Sequence, residues 1–473
     1  MSVVSTISNC ALATTNPISA IQCGIGVVSL AITISDLIFD NDKCADYWEL
    51  KGGCLYIHEN GAFSCSPYPW GDKKNEINKL VIGSGVTTIP ANAFQGYTNL
   101  QEVHIANSST TLSFGNGTYN NFHNSSIGNL YLGRNISYSY TDSPFENNTL
   151  LTSLEIGNNV TAINTDCFRS CSKLSTVTFG SGLVTIGNDA FNGCNSFASP
   201  INIPQGVTSI GNNAFNYCTK STSLVIPNTV ASIGYNAFQN CTSLQSVRIE
   251  NGKDTLNFGN GTYNNFHNSS IGSLYLGRNI SYLYNDSPFE SNTKLTSLEI
   301  GNNVTAVNTD CFNYCSNLRT VTFGNGLITI GDNAFNRCDS LSSSLQIPIG
   351  VTSIGNNAFN NCTKSTSLII PNTVSSVGYN AFQNCTSLQN VKIEDGTTTL
   401  SFGNGTYNNF HNSSIGSLYL GRNISYLYND SPFESNTKLT SLEIGNNVTT
   451  INADCFIGAA LCGCVMGAEL PLT

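Results

Sequence analysis

Residues 221–243 read STSLVIPNTVASIGYNAFQNCTS, and the spacing of their apolar positions decides the fold. Leu224 and Ile226 alternate with period two, the pattern of a short strand with one face buried. Pro227 then punctuates the chain and starts a turn, and the Val230 to Ile233-Gly234 segment reads as a second short extended piece. Ala237, Phe238 and Cys241 fall at i, i+1 and i+4, the spacing of one helical turn facing inward. The same grammar recurs every 23 residues or so, as in LTSLEIGNNVTAINTDCFRSCSK (151–173) and LSTVTFGSGLVTIGNDAFNGCNS (174–196). A unit this small cannot bury its own apolar face, whereas stacked units can. From Leu80 onward sixteen coils are predicted, the last cut short after Phe456.

The coils are grouped in turn. NGTYNNFHNSSIG occurs at 116–128, 260–272 and 404–416, at two spacings of 144 residues, and six coils fill each 144-residue superrepeat. Residues 260–305 and 404–449 are identical, and identity between copies concentrates on the coils that carry this stretch. Functional constraint and local gene conversion both account for that.

The recurring pattern LxxLxIPxxVTSIGxxAFxxC resembles the BspA-like leucine-rich repeat family. It is clearest at Leu224-Val225-Ile226-Pro227, Val230, Ile233-Gly234, Ala237-Phe238 and Cys241, and it covers roughly residues 50–456. The resemblance implies a repeat solenoid: a right-handed leucine-rich-repeat coil with a strand-lined concave face, short second strands and short helical turns. It also implies a protein of bacterial or parasite surfaces that adheres to host cells or matrix. Residues 53–99 look like the module that opens such arrays. The domain organisation expected is therefore a hydrophobic segment over 1–39, a cysteine-bearing cap over 40–76, the array over 77–456 and a short, abruptly ending tail over 457–473.

Composition narrows the function. Charged residues make up only 10% of the chain and net charge is −10, with no Lys/Arg run, which argues against nucleic acid and against electrostatic docking on anionic lipid. Residues 1–35 hold no charged side chain, and ISAIQCGIGVVSLAITIS (18–35) approaches the length of a membrane span. No basic region precedes it, so signal, anchor and buried element all remain open, with membrane association through residues 18–39 as one outcome. No cofactor is expected and no catalytic or metal motif is present. Three of the five histidines are the copies His123, His267 and His411, one per superrepeat, too far apart to converge on one metal. Enzymatic activity is therefore not expected.

Eleven of the eighteen cysteines occupy repeat positions. Eight stand at FxxC (Cys171, Cys194, Cys218, Cys241, Cys315, Cys338, Cys362 and Cys385), while Cys167, Cys311 and Cys455 stand where other coils have Ala. A position shared by Cys and Ala wants a small buried group, so a ladder of buried thiols is expected rather than zinc ligation. Cys44, Cys54 and Cys65 lie outside the ladder, and one disulfide among them, of unspecified pairing, suits a secreted chain. Sequons at Asn107, Asn116, Asn124, Asn135, Asn147 and Asn159 are acceptors only on the secretory route; Asn also suits tight turns.

The coils beginning at 100 and 127, and their copies, lack AFxxC and are rich in Tyr, Asn, Ser and Arg, the residues of adaptable recognition surfaces. The candidate binding residues are Tyr119, His123, Arg134, Tyr138 and Tyr140, with their copies Tyr263, His267, Arg278, Tyr282, Tyr284, Tyr407, His411, Arg422, Tyr426 and Tyr428. The arginines are expected to be exposed, because a guanidinium is hard to bury without a partner. Phe114, Phe122 and Phe145 are expected to fill the core instead. Tyr138 and Tyr140 share parity around Ser139, which is Leu283 and Leu427 in the copies, so parity alone leaves their face undecided. Three equivalent patches about 29 Å apart would gain avidity on a repetitive ligand, whether protein, glycoprotein or matrix. An intracellular scaffold with a purely structural array is the alternative.

Overall fold

In the computed structural model the described residues are 47–461, except 59–60, 63–67, 118, 140–142, 199, 262–263, 284–286, 343, 406, 428–430 and 453. The hydrophobic N-terminal segment, Cys44 and Cys65 therefore lie outside the described residues, and Cys54 is buried. The chain divides into two compact units, one ending at Leu183 and the other beginning at Val184.

In the first unit an antiparallel hairpin, Trp48–Lys51 with Cys54–Ile57, opens the sheet. Lys79–Ile82, Glu102–Ile105, Asn129–Leu132, Ser153–Ile156 and Thr176–Thr178 then add in parallel, one strand per coil. The second unit repeats this with two parallel sheets, from Ile201–Asn202 to Thr320–Thr322 and from Leu345–Gln346 to Ser441–Ile444. In Ser223–Ile226 Leu224 and Ile226 are buried and the Val225 between them is partly open, as period two requires, whereas in the opening strands the intervening Tyr56 and Val81 are covered as well and cluster with Cys54. Short second strands such as Ser209–Ile210 and Ser232–Ile233 stack in parallel on another side of the coil. There Gly234 is obligatory, since a Cβ would come within 2.4 Å of the Asn212 backbone nitrogen of the preceding coil.

The third side carries AFxxC. Its inward residues are those expected, with Ala237, Phe238 and Cys241 fully buried. It is built of consecutive turns, however, and no α-helix occurs among the described residues. The reason lies in its hydrogen bonds. Asn213, Phe215 and Tyr217 donate N–H groups to the carbonyls of Tyr235, Ala237 and Gln239 one coil on, at 2.9, 2.8 and 3.0 Å. Donors committed to the next coil cannot close a helix. Asn213 and Tyr217 take positive φ (53° and 59°) to present them, and most residues in that conformation along the array are Asn or Asp, which tolerate it.

The core is a column of phenylalanines. Within the first unit Phe94, Phe122, Phe145 and Phe168 stack at 5.2, 5.1 and 5.8 Å, and Trp70, fully buried, stacks on Phe94 at the start of the column. In the second unit Phe215, Phe238, Phe266 and Phe289 continue the same arrangement at 5.5, 5.5 and 5.1 Å. Phe122 and Phe145 thus stand where ordinary coils place the Phe of AFxxC, and Phe114 packs edge-on against both. The core-filling expectation for these three residues holds.

Candidate binding surfaces

The three arginines overturn their expected role. Arg134, Arg278 and Arg422 have no solvent exposure at all. Each guanidinium reaches past an intervening coil and donates to two successive carbonyls: Gly83 and Ser84, Pro227 and Asn228, or Pro371 and Asn372, at 2.8 to 3.1 Å. Only a forked, planar cation on a long stem bridges that gap. Gly252 and Gly396 leave it room, since a Cβ there would lie 2.9 or 3.2 Å from the Cδ of Arg278 or Arg422. Burial lowers the pKa of Arg134 to about 10. These residues are internal staples, not the exposed side chains expected.

The tyrosines divide. Tyr138 and Tyr282 are half-buried, and each hydroxyl donates to a main-chain carbonyl of the next coil, Thr165 or Thr309, at 2.8 Å. Tyr426 is their third copy. The intervening parity position faces out, with Leu283 and Leu427 about 60% exposed, so the parity question is answered: Leu out, Tyr toward the coil. Tyr140, Tyr284, Tyr428 and Tyr263 lie outside the described residues. Tyr119 and Tyr407 are exposed, and their rings stack at 4.6 Å on His123 and His411. His267, the middle copy, lines a cavity of about 480 Å³.

Sequence reasoning missed a second feature, on the outer face of the first-strand sheets. In the superrepeat that begins at Ile201–Asn202, the outward positions of successive strands align as Asn202, Val225, Arg248, Tyr275, Glu299 and Thr322. The following superrepeat reads Gln346, Ile369, Lys392, Tyr419 and Glu443. The first unit carries Val81, His104, Tyr131, Glu155 and Thr178. Each row therefore places a cation or imidazole, an aromatic ring and a carboxylate on adjacent strands.

Contacts fix the ring. The Arg248 guanidinium lies 4.1 Å above Tyr275, the Lys392 ammonium 5.8 Å from Tyr419, and His104 stacks on Tyr131 at 4.6 Å. The hydroxyls donate to Asn107, Asn251 and Asp395 at 2.9, 2.6 and 2.8 Å, and bonding to the Asp395 carboxylate raises the pKa of Tyr419. His104 is nearly buried, and burial, with the Lys79 charge beside it, lowers its pKa to about 4. A usable signal was present: in NLYL and SLYL the Leu pair must face inward, which turns Tyr131, Tyr275 and Tyr419 out.

The thiols form the expected ladder. Cys218, Cys241, Cys315, Cys338, Cys362 and Cys385 are buried, and each Sγ donates to a Phe carbonyl of the preceding coil at 3.3 to 3.5 Å. Burial pushes Cys241 and Cys385 up to about 12. Among the described residues no group of His, Cys, Asp and Glu could hold a metal ion. Nor, among them, is any helix long and apolar enough to cross a membrane.

A family profile described as "BspA type Leucine rich repeat region" matches in six copies, spanning residues 72–466 in overlapping segments. The chain belongs to the BspA-type leucine-rich repeat family. Among curated proteins no match is found. Solved structures similar to this family member include a leucine-rich repeat protein from Bacteroides ovatus (22% identity, 76% of this chain and 94% of that one, TM-score 0.34). Another is from Eubacterium ventriosum (21%, 65% and 90%, TM-score 0.31). A third, a leucine rich cell surface protein from Faecalibacterium prausnitzii, is 23% identical over 73% of this chain and 92% of that one, with a TM-score of 0.28.

Proposed function

We propose that this chain is a non-enzymatic adhesin, displayed at a cell surface or secreted, that grips protein, glycoprotein or matrix ligands at several equivalent places. The observation that carries this reading is the outward row Arg248–Tyr275–Glu299, repeated as Lys392–Tyr419–Glu443 six coils on. Opposite charges about 10 Å apart flank a ring held in place by its hydroxyl. That arrangement suits a polar macromolecule: the ring supplies rigid contact area, and the charges set register and orientation. Repetition of the row supplies avidity on a ligand that is itself repetitive.

Staining of intact, unpermeabilised cells with an antibody to the array tests location, and absence of surface signal would sink the adhesin reading in favour of an intracellular scaffold. Binding of the full chain to immobilised extracellular matrix is then measured for Tyr275→Ser, Tyr419→Ser and the double variant. Stepwise weakening is expected, and unchanged binding of the double variant refutes the repeated-row reading.

A further inference from the structure

We propose that the ligand of the outward rows is a polyproline II segment carrying an acidic and a basic side chain three residues apart. This rests on the adhesin reading and names the partner that reading leaves open. Arg248 and Glu299 are exposed, stand two strands apart on the outer face, and form no ion pair among the described residues. Cation–π contact with Tyr275 restrains the Arg248 guanidinium, and none of its N–H groups is spent on a protein acceptor among the described residues. Lys392 and Glu443 are likewise exposed, unpaired among the described residues and two strands apart. Two unspent charges of opposite sign, held at one separation in two superrepeats, call for a ligand with the complementary pair at that separation.

The separation selects the ligand's backbone. Two strand spacings put the charges about 9.6 Å apart. Side chains on one side of an extended peptide recur about every 6.7 Å, so neither one period nor two matches. An α-helix advances about 5.4 Å per turn and docks through an apolar groove, which a row of charges is not. A polyproline II helix has three residues per turn and rises about 3.1 Å per residue. Its residues i and i+3 therefore point the same way about 9.3 Å apart. That is the match.

The face also meets the hydrogen-bonding needs of such a segment. Polyproline II has no internal hydrogen bonds and its prolines carry no N–H, so it presents carbonyls that seek donors. Ser246, Ser273 and Ser297 lie two residues before Arg248, Tyr275 and Glu299, on the same outward face and in register. None of these three hydroxyls is bonded within the protein among the described residues. The following superrepeat aligns Asn390, Ser417 and Ser441 in the same way. Between the charges, Tyr275 and Tyr419 are partly exposed and tied back to the coil by their hydroxyls. They offer fixed aromatic surface to the intervening prolyl rings.

The test is fluorescence anisotropy on the full chain with labelled, capped peptides in which Glu-Pro-Pro-Lys is set in a run of prolines. Saturable binding is expected, about tenfold tighter than to a peptide of the same length and composition in which the charges are spaced Glu-Pro-Lys. Arg248→Glu with Lys392→Glu makes both rows acidic at each end. It should weaken binding of the first peptide about tenfold and gain binding of a Lys-Pro-Pro-Lys peptide relative to the parent chain. That gain separates a change of specificity from a failure to fold. No binding of the Glu-Pro-Pro-Lys peptide, equal binding of the two spacings, or a variant that loses the first peptide without gaining the second overturns the proposal. Matrix binding that falls in Tyr275→Ser with Tyr419→Ser while no polyproline II peptide binds overturns this inference alone. Matrix binding indifferent to those two changes overturns the row reading together with it.

Discussion

The guanidinium of Arg278 donates to the carbonyl of Pro227 at 2.9 Å, across an intervening coil and 51 residues of sequence. Stacked repeats ordinarily bond only nearest neighbours. This cation ties second neighbours, once per superrepeat, at the place where the regular coil is interrupted. Two hydrogen bonds from a charged donor are lost on truncation, and the buried Pro227 carbonyl is stranded.

Arg278→Met is accordingly expected to destabilise the second unit by about 2–4 kcal/mol. Arg278→Lys should lose most of the same stability despite keeping the charge, because one ammonium cannot bridge both carbonyls. Denaturant unfolding reads the total, and hydrogen exchange should localise the loss to coils around 226–280. A lysine variant as stable as the parent would contradict the staple.

Tyr275→Ser should behave in the opposite way. The ring is only partly buried and lies outside the core, so stability should change by less than about 1 kcal/mol while ligand binding falls. The same denaturant series checks it.

The thiols predict an alkaline limit. Burial raises Cys241 and Cys385 from 9.0 to about 12, so the folded state keeps protons that the unfolded chain releases. Stability is then intact below pH 9 and is lost progressively as pH rises from 9 toward 12. Ala at both positions should lessen that slope, the other buried thiols such as Cys218, Cys338 and Cys362 supplying the rest. At pH 8 these thiols should resist alkylation in the native protein and react fully in denaturant, as followed by mass spectrometry.

His104 predicts an acid limit for the first unit. Its pKa falls from 6.5 to about 4, so the unfolded chain takes up a proton first as the pH drops. The stability this contributes is present above pH 6.5 and is lost between 6.5 and about 4. NMR titration should find the imidazole near 4, and His104→Asn should reduce the slope in that window, the remainder coming from His58, which burial also lowers. The row in the first unit therefore presents a neutral ring where its counterparts present Arg248 and Lys392.

Glycosylation cannot be uniform over the sequons. Asn135 donates from its amide to Thr161 Oγ1 and accepts the Thr161 N–H, both at 2.8 Å, bridging two coils. A glycan there would break the bridge, whereas Asn124 and Asn159 are exposed. Expression in a glycosylating host followed by peptide mapping should find occupancy at 124 or 159 and none at 135.

Much of this architecture was legible from residues alone. Leu224, Ile226, Ala237, Phe238 and Cys241 face inward as their spacing requires, because side-chain direction in strands and turns is set locally. Arg134 was misread because burial of a guanidinium depends on acceptors, and its acceptors at Gly83 and Ser84 are fifty residues away. The outward row was overlooked for a similar reason: His104, Tyr131 and Glu155 become neighbours only through strand register.

The sequence by itself determined the coil, its period and the 144-residue superrepeat, since apolar periodicity and the small residues needed for stacking are written at short range. Tertiary structure alone decided which polar side chains are spent inside the stack and which are left on its surface. Hydrogen-bond satisfaction belongs to pairs of groups, and here the second member of each pair comes from another coil.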